Sequence, residues 1–287
     1  MESIAKGGIT NGVAPILILL LLGLPTAAQD PKPKNNVLEN LALCNGTDRT
    51  SPELQINGCT AIIDLGEHTA AAAIAYNNRG DAYAEKGDYD RAVQDFDQSI
   101  KLNPTNARPF NNSGVAYLKK GEYDLAIKNL DEAIRLNPSY VKAFVNRAET
   151  YLKKDEFDRA ARDYDEAIRL EPNSKAASNG RCWTRAILGQ LQAALEDCNK
   201  ALQSEPTDAA TYDSRGLTYM KMGQFDTAID DYNSALRFEP KLASALYGRG
   251  LAKLKKGDKA GGDAEISAAK KIQAKIGADF IRYGVMP

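Results

Sequence analysis

From residue 73 to residue 276 apolar and small side chains recur at helical spacing, in runs separated by short polar turns. The stretch NNRGDAYAEKGDYDRAVQDFDQSIKLNP, residues 77–104, returns from residue 111 as NNSGVAYLKKGEYDLAIKNLDEAIRLNP. Pro104, Pro138, Pro172, Pro206 and Pro240 lie 34 residues apart, a period long enough for two helices and two turns. With that proline at position 32, six units follow: 73–106, 107–140, 141–174, 175–208, 209–242 and 243–276, the last with Ala274 in place of proline.

Small residues hold fixed places in each unit. Position 8 is Gly80, Gly114, Ala148, Cys182, Gly216 and Gly250; position 20 is Ala92, Ala126, Ala160, Ala194, Ala228 and Gly262; position 27 is Ser99, Ala133, Ala167, Ala201, Ala235 and Ala269. Small side chains at a crossing let two helix axes approach to about 8 Å. Aromatic residues fill the space left, among them Tyr83, Tyr117, Tyr151 and Tyr219 at position 11 and Phe96, Tyr164 and Tyr232 at position 24. Between the helices the turns KGDYD, KGEYD, KDEFD, LGQLQ, MGQFD and KGDKA usually carry a glycine to end the first helix.

On these positions the chain resembles the tetratricopeptide repeat (TPR) family over about 204 of its 287 residues. The resemblance implies an all-α fold, a right-handed superhelical solenoid of antiparallel helix pairs, with the first helix of each pair lining a concave groove. Lone repeats cannot bury their apolar faces, so neighbour contacts should supply most of the stability. The tail, 277–287, is expected to continue the last helix and cap its end with Ile276, Phe280 and Ile281.

Upstream of the repeats the chain changes character. Residues 1–28 hold one lysine, an apolar run from Val13 to Leu24, and the small residues Thr26, Ala27 and Ala28, the layout of a secretory signal peptide cleaved near Ala28. The run is short of the roughly 20 residues a bilayer requires, so no membrane insertion is expected after cleavage. The protein is therefore expected to be exported, periplasmic or secreted, and it resembles small exported bacterial TPR proteins. Residues 29–72 read as a Pro- and Lys-containing linker followed by a helical N-terminal cap, in which Ser51 and Pro52 suit the N-cap and N1 of a helix.

Four cysteines allow three pairings, and outside the cytosol disulfides are permitted. Proximity favours Cys44 with Cys59, across the loop joining the two cap helices, and Cys182 with Cys198. The family's packing implies that positions 8 and 24 of the fourth repeat, where Cys182 and Cys198 stand, face each other across the helix pair.

One departure from the usual family pattern is informative. Position 7, commonly apolar, is Arg79, Ser113, Arg147, Arg181, Arg215 and Arg249, while position 23 is Asp95, Asn129, Asp163, Asp197, Asp231 and Glu265. The repeat that lost its arginine also lost its acid. Each arginine is therefore expected to face the acid of its own repeat as a bidentate, partly buried pair.

Charge and chemistry narrow the function. Lys and Arg total 37 against 38 Asp and Glu, so no overall field would draw the chain to nucleic acid. No enzyme is expected: the one histidine, His68, sits in the polar stretch LGEHTA, no metal-binding cysteine spacing or phosphate loop occurs, and carboxylates fall at positions repeated in every unit. No cofactor is implied.

In the family the groove is lined by positions 2, 5, 9 and 12. In the first three repeats that stripe is polar and mixed; in the last three it turns apolar, offering Trp183, Leu217, Met220, Tyr247 and Leu251 as anchors. Asn78, Asn112 and Asn146, at position 6, suit either the backbone of an extended peptide or bonds within the scaffold. The carboxylate clamp of one TPR subclass finds only two of its five residues here, with Asp81 opposing the charge. The expected function is a protein-interaction module that takes a peptide or partner segment in its groove, fitted to envelope or secretion-complex assembly. A structural spacer using convex or end contacts is the alternative.

Overall fold

The computed structural model describes residues 37–46, 50–66 and 70–285; the expected leader and His68 lie outside them. The described residues form fifteen α-helices and no strand, in two compact units, 37–146 and 147–285. The first unit contains α1 (Val37–Asn45), α2 (Pro52–Leu65), α3 (Ala70–Glu85), α4 (Tyr89–Leu102), α5 (Ala107–Lys120), α6 (Tyr123–Leu136) and the start of α7 (Val141–Lys153). The second contains the rest of α7, then α8 (Phe157–Leu170), α9 (Lys175–Ile187), α10 (Leu191–Ser204), α11 (Ala209–Lys221), α12 (Phe225–Phe238), α13 (Ala243–Lys255), α14 (Lys259–Ile272) and α15 (Ile276–Arg282).

The turn inside each repeat reverses the chain by one device. Gly87, Gly121, Gly189, Gly223 and Gly257 take φ between 74° and 90°, where a side chain is strained, and Asp155 adopts φ 60° in the third repeat. The amide after each then donates back to a carbonyl of the helix just ended, as Asp88 does to Tyr83 at 2.9 Å and Gln224 to Tyr219 at 2.9 Å. Two of the following helices, α4 and α14, are capped by a side chain: Asp88 accepts from the Arg91 amide and Asp258 from the Gly261 amide.

The helix pairs close around positions 8 and 24. A Cβ on Gly80 would stand 2.6 Å from Phe96, one on Gly114 2.6 Å from Leu130, and one on Gly216 2.8 Å from Tyr232. The absence of that atom lets a large side chain fill the crossing, and Phe96, Leu130 and Tyr232 are fully buried. Cys182 and Cys198 occupy the same two places in the fourth repeat, with their sulfurs at bonding distance and Cα atoms 5.3 Å apart. Cys44 and Cys59 are likewise paired, Cα to Cα 4.4 Å, where Gly58 lets α2 approach α1. Ser51 caps α2 by accepting from the Leu54 amide, and Arg79 donates to Thr60 at 2.9 Å, tying the cap to the first repeat.

The C-terminal segment departs from its expectation. The second helix of the last repeat, α14, ends at Ile272, and after residues 273–275 a separate helix, α15, begins. Ile276 and Phe280 are buried, but Ile281 is 51% exposed, and Tyr283 and Val285 are buried instead. Ile276, Phe280 and Tyr283 stand at i, i+4 and i+7 on one helical stripe, and Ile281 falls off it.

Candidate interaction surface

In the unit 147–285 the first helices of successive repeats, α9, α11 and α13, present the apolar stripe read from the sequence. Trp183, Leu217, Met220, Tyr247 and Leu251 do share one face, yet none is more than 6% exposed. The stripe is covered from within the chain: residues 276–285 pack in the same apolar cluster. Trp183 meets the edge of the Tyr283 ring at 5.0 Å and 77°, and Tyr247 packs on Phe280 at 4.8 Å. The Phe157 ring also lies beside Trp183, 6.3 Å from centre to centre.

Two polar ties accompany these rings. Lys221 donates through Nζ to the Ile187 carbonyl at 3.0 Å and to the Tyr283 carbonyl at 2.9 Å, and burial pulls its pKa below the ordinary lysine value. Arg282 reaches Asp155, in the turn between α7 and α8, at 3.4 Å. Burial pushes the Tyr283 hydroxyl up to about 12. Lys221, Asp155, Tyr283 and Val285 were not singled out in the sequence; the i, i+4, i+7 spacing of Ile276, Phe280 and Tyr283 was the available signal for Tyr283.

In the unit 37–146 the corresponding stripe is a polar ladder. Asn112 donates to the Asn77 side chain at 3.1 Å and to Asp81 at 2.7 Å, and Asn146 donates to Asn111 at 2.8 Å. Each rung runs from position 6 of one repeat to position 5 of the repeat before it, and Ser214 to Asn179, 2.9 Å, continues the pattern in the other unit. Asn112 and Asn146 thus join repeats, while Asn78 is 1% exposed with its amide nitrogen unpaired. Burial raises Asp81 to about 6 against the opposing pull of Arg108, whose guanidinium lies 3.1 Å away.

Arginine and acid meet in five repeats. Arg79 with Asp95, Arg147 with Asp163, Arg181 with Asp197, Arg215 with Asp231 and Arg249 with Glu265 each place two guanidinium nitrogens on two carboxylate oxygens at 2.5–2.9 Å. These carboxylates are bound to the scaffold. Among the described residues no cluster of three or more metal-ligating side chains occurs, and no helix is long and apolar enough to cross a membrane.

Stacked helix pairs that present a side-chain face define a helical-repeat scaffold. Residues 80–121, 114–155 and 216–257 match the TPR repeat profile, and residues 141–174 match the tetratricopeptide repeat profile. The chain belongs to the TPR family. Similar solved structures include YrrB, described as a TPR protein with an unusual peptide-binding site, at 21% identity over 67% of this chain and 97% of that one, TM-score 0.54. A TPR protein from Parabacteroides merdae matches at 17% identity over 83% of this chain and 94% of that one, TM-score 0.65. The Cut9–Hcn1 heterotetramer of the APC/C matches at 16% identity over 87% of this chain and 51% of that one, TM-score 0.68. At these identities the likeness is one of fold. No curated protein matches the chain.

Proposed function

We propose that the chain is a non-enzymatic protein-interaction module whose ligand face is the α9, α11 and α13 surface of residues 147–285. The observation that carries this reading is the seat of residues 276–285: aromatic rings and a lysine of that face already hold a peptide segment, by contacts of the kind that anchor binding partners. A peptide-binding site described for the similarly folded YrrB is consistent with it. The signal-like residues 1–28 and the two cysteine pairs support work outside the cytosol, in the bacterial periplasm or beyond, with envelope or secretion-complex assembly as its setting.

A spacer role is the second reading, and the exposed Leu38 and Leu65 of the cap, 74% and 58% accessible, favour it as end contacts. Site-specific photo-crosslinking in the native cell separates the two. A photoreactive residue at Ala176 or Leu254, on the first-helix face, should form an intermolecular adduct that the same residue at Arg169 or Lys200 does not. Adducts only from Arg169, Lys200 or Leu38 would favour the spacer.

A further inference from the structure

Residues 276–285 follow the last helix pair and cross three earlier repeats. Phe280 lies on Tyr247 of α13, the Tyr283 carbonyl accepts from Lys221 of α11, the Tyr283 ring meets Trp183 of α9, and Arg282 reaches Asp155. A segment that only shielded the last helix pair would stop at α13 and α14. This one ends against a turn 127 positions earlier in the chain.

It is held as a ligand is held. Ile276, Phe280, Tyr283 and Val285 are buried, while Ile281, Arg282 and Gly284 between them face solvent. With seven residues, α15 is too short to persist as a helix without the surface beneath it. The repeats do not depend on it for their internal ties: Arg181 with Asp197, Arg215 with Asp231 and Arg249 with Glu265 close without any residue of the segment. The segment covers Trp183 and Tyr247 directly, and Met220, a thioether that repacks readily around related side chains, lies in the same cluster.

We propose that residues 276–285 are a displaceable internal ligand of this groove, and that its external ligand is a short helical peptide of the same chemistry. Such a peptide carries branched or aromatic side chains at i, i+4 and i+7 and a basic residue to meet Asp155. This rests on the reading of the chain as an interaction module and adds to it the class of ligand and a built-in competitor. In the resting chain the segment lowers apparent affinity by the fraction of time it occupies the groove.

Trp183 is the only tryptophan, so its emission reports this groove directly. The probe is a labelled synthetic peptide of residues 273–287, titrated into the full chain and into a full-length Phe280→Ala, Tyr283→Ala variant. The variant should bind it at least about tenfold more tightly than the unaltered chain, with Trp183 emission returning towards that of the unaltered protein. A peptide carrying the same two alanines should bind neither. Equal affinity for both proteins, or no binding to a variant that keeps its helical circular dichroism, overturns the proposal. If the variant loses helicity, hydrogen exchange on the unaltered chain decides: amides of residues 276–285 should exchange at least about 100-fold faster than those of α11, and exchange only through global unfolding overturns the proposal. Neither measurement uses an outside partner, so failure here leaves the crosslinking test of the module itself intact.

Discussion

Arg147 sets Nε 2.8 Å and Nη2 2.7 Å from the two carboxylate oxygens of Asp163, sixteen residues on and across the helix pair. The acid is 8% exposed, so removing its guanidinium strands a charge in a poorly solvated place. Arg147→Leu should cost about 3 kcal/mol in urea unfolding, and Arg147→Leu with Asp163→Leu about 1 kcal/mol, because the second change removes the stranded charge. Equal losses would mean that the two side chains are not coupled.

Crossings between repeats offer a packing test. A Cβ on Gly180 would intrude on the ring of Tyr164, the position-24 residue of the preceding repeat, and Gly248 meets Tyr232 in the same way. Gly180→Ala should destabilise the fold by about 1–3 kcal/mol through overpacking. Adding Tyr164→Leu, the chemistry of Leu130 in the second repeat, should recover part of the loss; thermal denaturation of the two variants measures it.

The two cysteine pairs can be read by mass. Unreduced, unfolded protein should take up no alkylating label, and reduced protein should take four. Reduction should also lower stability by about 3 kcal/mol for the Cys182–Cys198 loop, whose closure restricts the unfolded chain. Label on the unreduced protein would show open thiols.

Asp81 makes stability depend on pH in a definite direction. Burial lifts its pKa from 3.8 to about 6, so the folded chain keeps a proton that the unfolded chain gives up. Its contribution is fullest below pH 3.8 and declines as pH rises to about 6. In Asp81→Asn this decline is gone, so the change in Tm between about pH 4 and pH 6.5 should shift in favour of pH 6.5 relative to the unaltered chain. Parallel Tm profiles for the two proteins would count against the assignment.

Much of the scaffold could be read from residue spacing because repeat proteins are built by nearest neighbours. Gly80 opposite Phe96 and Arg79 opposite Asp95 are contacts within one repeat, made over a short and constant separation, so a pattern that recurs along the chain reports a geometry that recurs with it. The asparagines at position 6 were ambiguous for the opposite reason. Asn112 and Asn146 bond to the repeat before them, and whether such an amide faces a neighbour or an incoming peptide depends on how repeats sit together.

The fate of the apolar stripe was decided by tertiary structure alone. Trp183, Met220 and Tyr247 were visible as one helical face, but a hydrophobic face states only that something covers it. Residues 273–275 break the helix, and that break sends Phe280 and Tyr283 back across the face instead of onward along the last helix axis. Local spacing along the chain thus determined the helix pairs, their turns and their internal ion pairs. Which residues cover this face was settled by a non-repeating segment, whose position depends on contacts that reach as far as 127 residues back along the chain.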